Sequence, residues 1–114
     1  MAFVLKQSDS YTWPVTFDVP VDGGRHERQT FDGEFKRLPQ SRIREIGEQI
    51  DSGEVTDASV AAEVLVGWSG VTDDAGKEVP FSQSALQQLL DVPMLAAAIV
   101  LAYFNSLAGA KRKN

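Results

Sequence analysis

From Tyr11 to Val21 the odd positions are Tyr, Trp, Val, Phe, Val and Val, and the even positions are Thr, Pro, Thr, Asp and Pro. A period of two is the pattern of a strand with one face in the core and one in water, because successive side chains leave opposite sides of the pleat. Proline has no N–H to give a ladder, so Pro14 and Pro20 confine this strand to a sheet edge or give it a bulge. Asp22-Gly23-Gly24 follows, three residues that tolerate positive φ at a hairpin turn. A second alternation then sets Phe31 and Phe35 on one face against Asp32, Glu34 and Lys36 on the other. An antiparallel β-hairpin is expected here, with the short apolar run Phe3–Leu5 as a candidate additional strand.

After Pro39 the period changes. Ile43, Ile46 and Ile50 recur at helical spacing in a charged background, up to Ser52-Gly53, where glycine suits a C-terminal cap. Thr56 or Asp57 then caps a second helix whose apolar face reads Val60, Ala61, Val64, Leu65 and Trp68, with Gly67 and Gly70 marking its end. Ser82 or Ser84 opens a third with Leu86, Leu89 and Leu90 inward, Ser84 and Gln87 forming a possible capping box. Pro93 fits the first position of a fourth, which runs to a cap near Gly109. The fold class is therefore α+β: an N-terminal antiparallel β-hairpin or small three-stranded sheet followed by about four α-helices. It forms a single domain over residues 1–110, with a basic tail at 111–114.

Two features of the second half bear on function. Val66–Phe81 reads as a joint between helices, in which Trp68 and Phe81 are structural anchors on either side of a polar turn of Asp73, Asp74 and Gly76. The fourth helix has almost no polar side before Asn105. Either it is the central helix of the fold, or it carries an apolar stripe shared with another chain, since a domain this small has difficulty covering such a helix on every side. On the second reading Leu95, Ile99, Ala102, Tyr103 and Phe104 are the partner-binding residues.

Little in the chain points to chemistry. With no cysteine there is no thiol catalysis, disulfide or cysteine-based zinc site, and the cytosol is a permitted compartment. The single histidine, His26, reads as a surface turn residue, and no second candidate is available as the base of a serine triad. Placing Gly76 at the sixth position of a calcium loop puts Val71, Ala75 and Ser82 where ligands belong, so the register fails. Asp73 and Asp74 are neighbouring loop carboxylates with no implied apolar pocket to raise either pKa. No catalytic residue, cofactor or metal is expected, and the protein is read as not an enzyme. Residues 51–110 hold eight acidic side chains against one basic, Lys77, within a net charge of -5, which argues against a nucleic-acid partner. The most apolar run, Val92–Phe104, is shorter than the ~18 residues of a membrane span, and no basic leader with a long apolar core opens the chain.

Several short motifs carry a resemblance: Trp13-Pro14-Val15, Phe35-Lys36-Arg37-Leu38, Gly67-Trp68-Ser69-Gly70-Val71, Asp73-Asp74-Ala75-Gly76, Val79-Pro80-Phe81-Ser82 and the Leu-rich close with Tyr103-Phe104. In this order they resemble the tail assembly chaperones of long-tailed bacteriophages and related prophages. A homo-oligomer is expected from the apolar fourth helix, and the resemblance implies a non-enzymatic protein of the infected host's cytoplasm. Such a protein binds the tape measure protein, promotes polymerisation of the tail tube protein, and is absent from the mature virion. It also implies a longer product made by a programmed frameshift, with which Lys113-Asn114, encodable as AAA AAC within a slippery run, is compatible. The alternative is a structural subunit of the phage head-tail or tail particle, which would be abundant in purified virions. A small hydrolase or ligand-binding module would require Asp73, Asp74 and His26 to converge in one pocket.

Overall fold

Residues 10–36 form the hairpin that the alternation predicts. In a computed structural model that describes residues 2–109, β1 (Ser10–Val21) pairs antiparallel with β2 (Arg25–Lys36), Val15 opposite Phe31 and Tyr11 opposite Phe35. The turn between them takes left-handed backbone at Gly23 (φ 89°) and Gly24 (φ 73°), where a side chain would be strained. Val15, Phe31 and Phe35 point into the core. The other face is solvated and laced by cross-strand polar pairs, with Thr16 and Thr30 hydroxyls 3.1 Å apart and the Arg28 Nε donating to Asp18 Oδ1 at 3.2 Å. Phe3–Leu5 is not a strand. The free side of β2 is taken by a later segment, which gives the sheet order β1-β2-β3 and leaves proline-bearing β1 at an edge, as its prolines require.

Helix α1 (Gln40–Ser52) buries Ile46 and ends at Gly53 in the left-handed conformation (φ 78°). Helix α2 (Asp57–Val64) opens on a capping box: Thr56 Oγ1 accepts from the Ser59 N–H and Ser59 Oγ accepts from the Thr56 N–H, both at 3.1 Å. A bidentate fork joins the two helices. Arg42 Nε donates to Glu63 Oε2 at 2.8 Å, and Nη2 to Oε1 at 2.7 Å.

The expected second helix is too long by a whole element. The chain leaves α2 after Val64, and Leu65–Ser69 becomes β3, antiparallel to β2 with Trp68 opposite Gly33 and Leu65 opposite Phe35. The helical spacing of Val60, Ala61, Val64, Leu65 and Trp68 continues into the strand because Leu65 and Trp68 face the same core across a bulged register. Two glycines make room for this pairing. A Cβ on Gly33 would come within 3.0 Å of Leu65 Cδ1, and one on Gly67 within 2.5 Å of the Glu34 carboxylate.

Ser82 caps α3 (Gln83–Leu90), its Oγ accepting from the Ala85 N–H at 3.0 Å, so Ser84 lies inside the helix and not at its cap. Pro93 also sits outside its expected element. Helix α4 (Leu95–Leu107) starts after Met94, the one described non-glycine residue with positive φ (69°), and the two helices are bent by 103° across that break. Left-handed backbone at Met94 lies in this bend, and Pro93 is spent in the turn that leads to it. At the other end Gly109 takes positive φ (76°), as the cap near that residue requires.

One cluster of buried side chains draws on every element: Val15, Phe31, Phe35, Ile46, Val60, Val64, Leu65 and Leu86 surround the inner side of α4. The architecture is α+β, a three-stranded antiparallel sheet with four helices. Among the described residues no single helix is long and apolar enough to cross a membrane. The basic tail 111–114, with Lys113-Asn114, lies outside the described residues.

Candidate partner-binding face

Helix α4 carries no charged side chain, yet it has two unlike sides. Leu95, Ile99, Ala102 and Tyr103 are buried, and Phe104 is half-buried with its ring 5.8 Å from that of Tyr103. Four of the five residues expected to touch a partner, all but Phe104, are therefore core residues. Packing of α4 against β1 and α2 covers Leu95, Ile99, Ala102 and Tyr103, while Phe104 keeps part of its surface in water. Tyr103 fixes the packing: its ring lies 5.5 Å from that of Phe35, and its hydroxyl donates to the Lys36 carbonyl at 3.2 Å. Burial pushes the Tyr103 phenol up to about 12.

The opposite side of α4 is the exposed one. Met94 is 78% exposed and Leu101 62%, and with Ala97 and Ala98 they form a stripe at helical spacing. Across from this stripe runs β1. A hollow of about 390 Å³ lies between Met94, Leu101, Phe17 and Asp18, and a second of about 260 Å³ lies between Leu101, Asn105, Trp13 and Pro14. Ala98 and Leu101 line both, so the two hollows adjoin as a shallow, mainly apolar groove between α4 and β1, with Asp18, Thr16 and Asn105 along it and Trp13 at its upper end. Small alanine side chains leave the floor low, and the larger Met94, Leu101 and Trp13 make its walls. The residues that the sequence singles out lie on this helix, but four of the five are on its buried side, and the outer stripe is Met94, Ala97, Ala98 and Leu101. The available signal was that α4 has apolar residues at two helical phases, only one of which a single sheet can cover.

Other singled-out residues are used locally. Trp68 on β3 and Phe81 before α3 meet edge to face, centroids 4.9 Å apart and planes at 74°, and the Trp68 Nε1–H donates to the Val79 carbonyl at 2.7 Å. Trp68 also meets Phe31 at 6.4 Å, so the pair ties the chain between β3 and α3 to the sheet. Within that segment Asp73 Oδ1 accepts the N–H groups of Ala75 (2.9 Å) and Lys77 (3.0 Å), closing a turn in which Gly76 takes φ 79°. His26, exposed on β2, lines the Met94 end of the groove and is not joined there by Asp73 or Asp74. The described residues hold no group of three or more His, Cys, Asp or Glu side chains placed to hold a metal ion. Near the other helices, the Arg42 guanidinium holds the Glu63 carboxyl below its ordinary value.

Residues 29–105, more than half of the chain, match the family model described as YdaY prophage protein. The match runs from within β2 nearly to the end of α4, so it includes one wall of the groove, and β1 lies outside it. Neither a curated protein nor a solved structure matches the chain.

Proposed function

The chain belongs to the YdaY prophage protein family, and from that premise we propose that it is a non-enzymatic tail assembly chaperone. In this reading it binds the tape measure protein in the cytoplasm of the infected host and promotes assembly of tail tube subunits around it, without entering the finished virion. The observation that carries the reading is the groove between α4 and β1, an apolar surface that the folded domain leaves uncovered. A chaperone for a long helical client needs such a surface to lend, and an amphipathic helix laid into a groove is a recurring way to use one. Pro14 and Pro20 on the β1 edge favour a helix over an added strand, because they remove donors that a strand would need. The acidic body suits a client with basic flanks.

Co-expression with the tape measure protein tests the proposal. The tagged wild-type chain is expected to retain the client, and Met94→Asp with Leu101→Asp, both at exposed positions, to lower recovery at least tenfold with the fold intact by circular dichroism. Failure of the wild-type chain, and of its frameshifted longer form, to retain the client would contradict it.

A further inference from the structure

Ahead of β1 the chain carries three successive apolar side chains that nothing in the described structure covers: Phe3 is 77% exposed, Val4 66% and Leu5 88%. Single exposed apolar residues are ordinary, but a contiguous run on the same molecule as an uncovered apolar groove makes a complementary pair. Residues 2–5 carry no charged side chain, and neither do residues 92–109, which include the α4 wall, so the arm matches that wall, while Asp18 stands on the opposite side at the Met94 end.

The arm cannot fill the whole groove of its own chain. Its root is fixed beside the end of β2, where the Arg37 N–H donates to the Asp9 carbonyl at 2.9 Å and Arg37 Nε to Ser8 Oγ at 3.4 Å. From Ser10 to Asp18, beside the Met94 end of the groove, β1 covers roughly 26 Å at the rise of a strand. Phe3 extends at most about 18 Å from Ser8. The Met94 end is therefore open to a different molecule.

We propose that Phe3-Val4-Leu5 of one copy lies in the α4–β1 groove of a second copy, and that the exchange is reciprocal. Reciprocity follows from area. One arm in one groove buries roughly 800 Å² counting both sides, about half of what a stable standard interface needs, and two exchanged arms supply the rest. A two-fold arrangement also closes the assembly, whereas a one-way exchange would run on into rings or filaments. The arm is held through its side chains, since Pro14 and Pro20 deny it a continuous ladder on β1. In the absence of a client, the arm is what keeps the groove from water.

Sedimentation of the full chain tests this, with circular dichroism as the check on folding. The wild type is expected to be dimeric, and Leu5→Asp on the arm and Leu101→Asp in the groove each to weaken the dimer at least tenfold. Because the chain has no cysteine, a mixture of Leu5→Cys and Leu101→Cys proteins can be oxidised cleanly. Cross-linking between the two is expected to outpace that of Leu5→Cys with Asp74→Cys, which lies off the groove. A monomeric wild type, a Leu5→Asp protein that dimerises as tightly as wild type, or cross-linking no faster than the Asp74→Cys control would overturn the proposal. No client is present in these assays, so the self-association stands or falls separately from the chaperone role.

Discussion

Tyr103 shows how much one side chain decides here. Its ring is wholly buried against Phe35, and its hydroxyl pins the helix to the last carbonyl of β2. Tyr103→Phe keeps the ring and loses the hydrogen bond, so it is expected to cost about 1 kcal/mol in denaturant unfolding. The same variant changes the alkaline behaviour. The unfolded chain releases this proton near pH 10 and the folded protein holds it to about 12. Its contribution is thus whole below about pH 10 and is lost as pH rises through about 12. Thermal melts between those limits are expected to fall less steeply for Tyr103→Phe than for wild type; equal slopes would mean that the phenol stays solvated. None of this was legible from Tyr103-Phe104 as an adjacent pair, because the sequence shows that both are apolar-rich but not which one turns inward. The deciding fact is the position of Phe35, 68 residues earlier, whose ring meets Tyr103.

Among the elements, those specified by local rules were readable and those specified by distant partners were not. The β1–β2 alternation, the Gly23-Gly24 turn, the Thr56 and Ser82 caps and the Gly53 stop all act within a few residues, and each stands where its local signal puts it. β3 reads in the sequence as the end of α2 because its pairing with Glu34 and Phe35 lies about thirty residues away, and its apolar residues happen to continue the helical phase. The fourth helix starts late for a similar reason: the bend at Met94 answers to how α3 and α4 pack, not to Pro93. The Arg42–Glu63 fork was equally hidden, since it joins two helices whose separate patterns say nothing of their contact. Glu63 ionises more readily in the folded protein, so its contribution is present above the ordinary carboxylate range and is lost as pH falls below it. Glu63→Gln is expected to flatten the acid limb of the stability profile and to speed amide exchange in α1, the helix it tethers. Unchanged exchange in α1 would show that the packing of Ile46 and Ile50 is enough to hold that helix.

At the scale of the whole molecule, the sheet and the helices divide the surface unequally. One face of the sheet is solvated and paired by polar side chains, the helical side closes over a continuous core, and exposed apolar side chains gather in the Phe3–Leu5 arm and where α4 runs beside the free edge of β1. Such a division suits the proposed role, in which one surface meets a client or a second copy in turn. The sequence showed the fourth helix to be apolar nearly all round, but it could not show that Leu95, Ile99, Ala102 and Tyr103 are buried while Met94 and Leu101 face water. The chain contains two tryptophans, and Trp13 stands in the groove wall while Trp68 is bonded inside the joint. In a Trp68→Phe protein, Trp13 becomes the only indole. Titrating that protein with the tape measure protein while recording tryptophan emission measures occupation of the groove directly. The account predicts a saturable blue shift as Trp13 leaves water, abolished by Leu101→Asp. Binding with no change in Trp13 emission, or a shift that Leu101→Asp leaves intact, would contradict it.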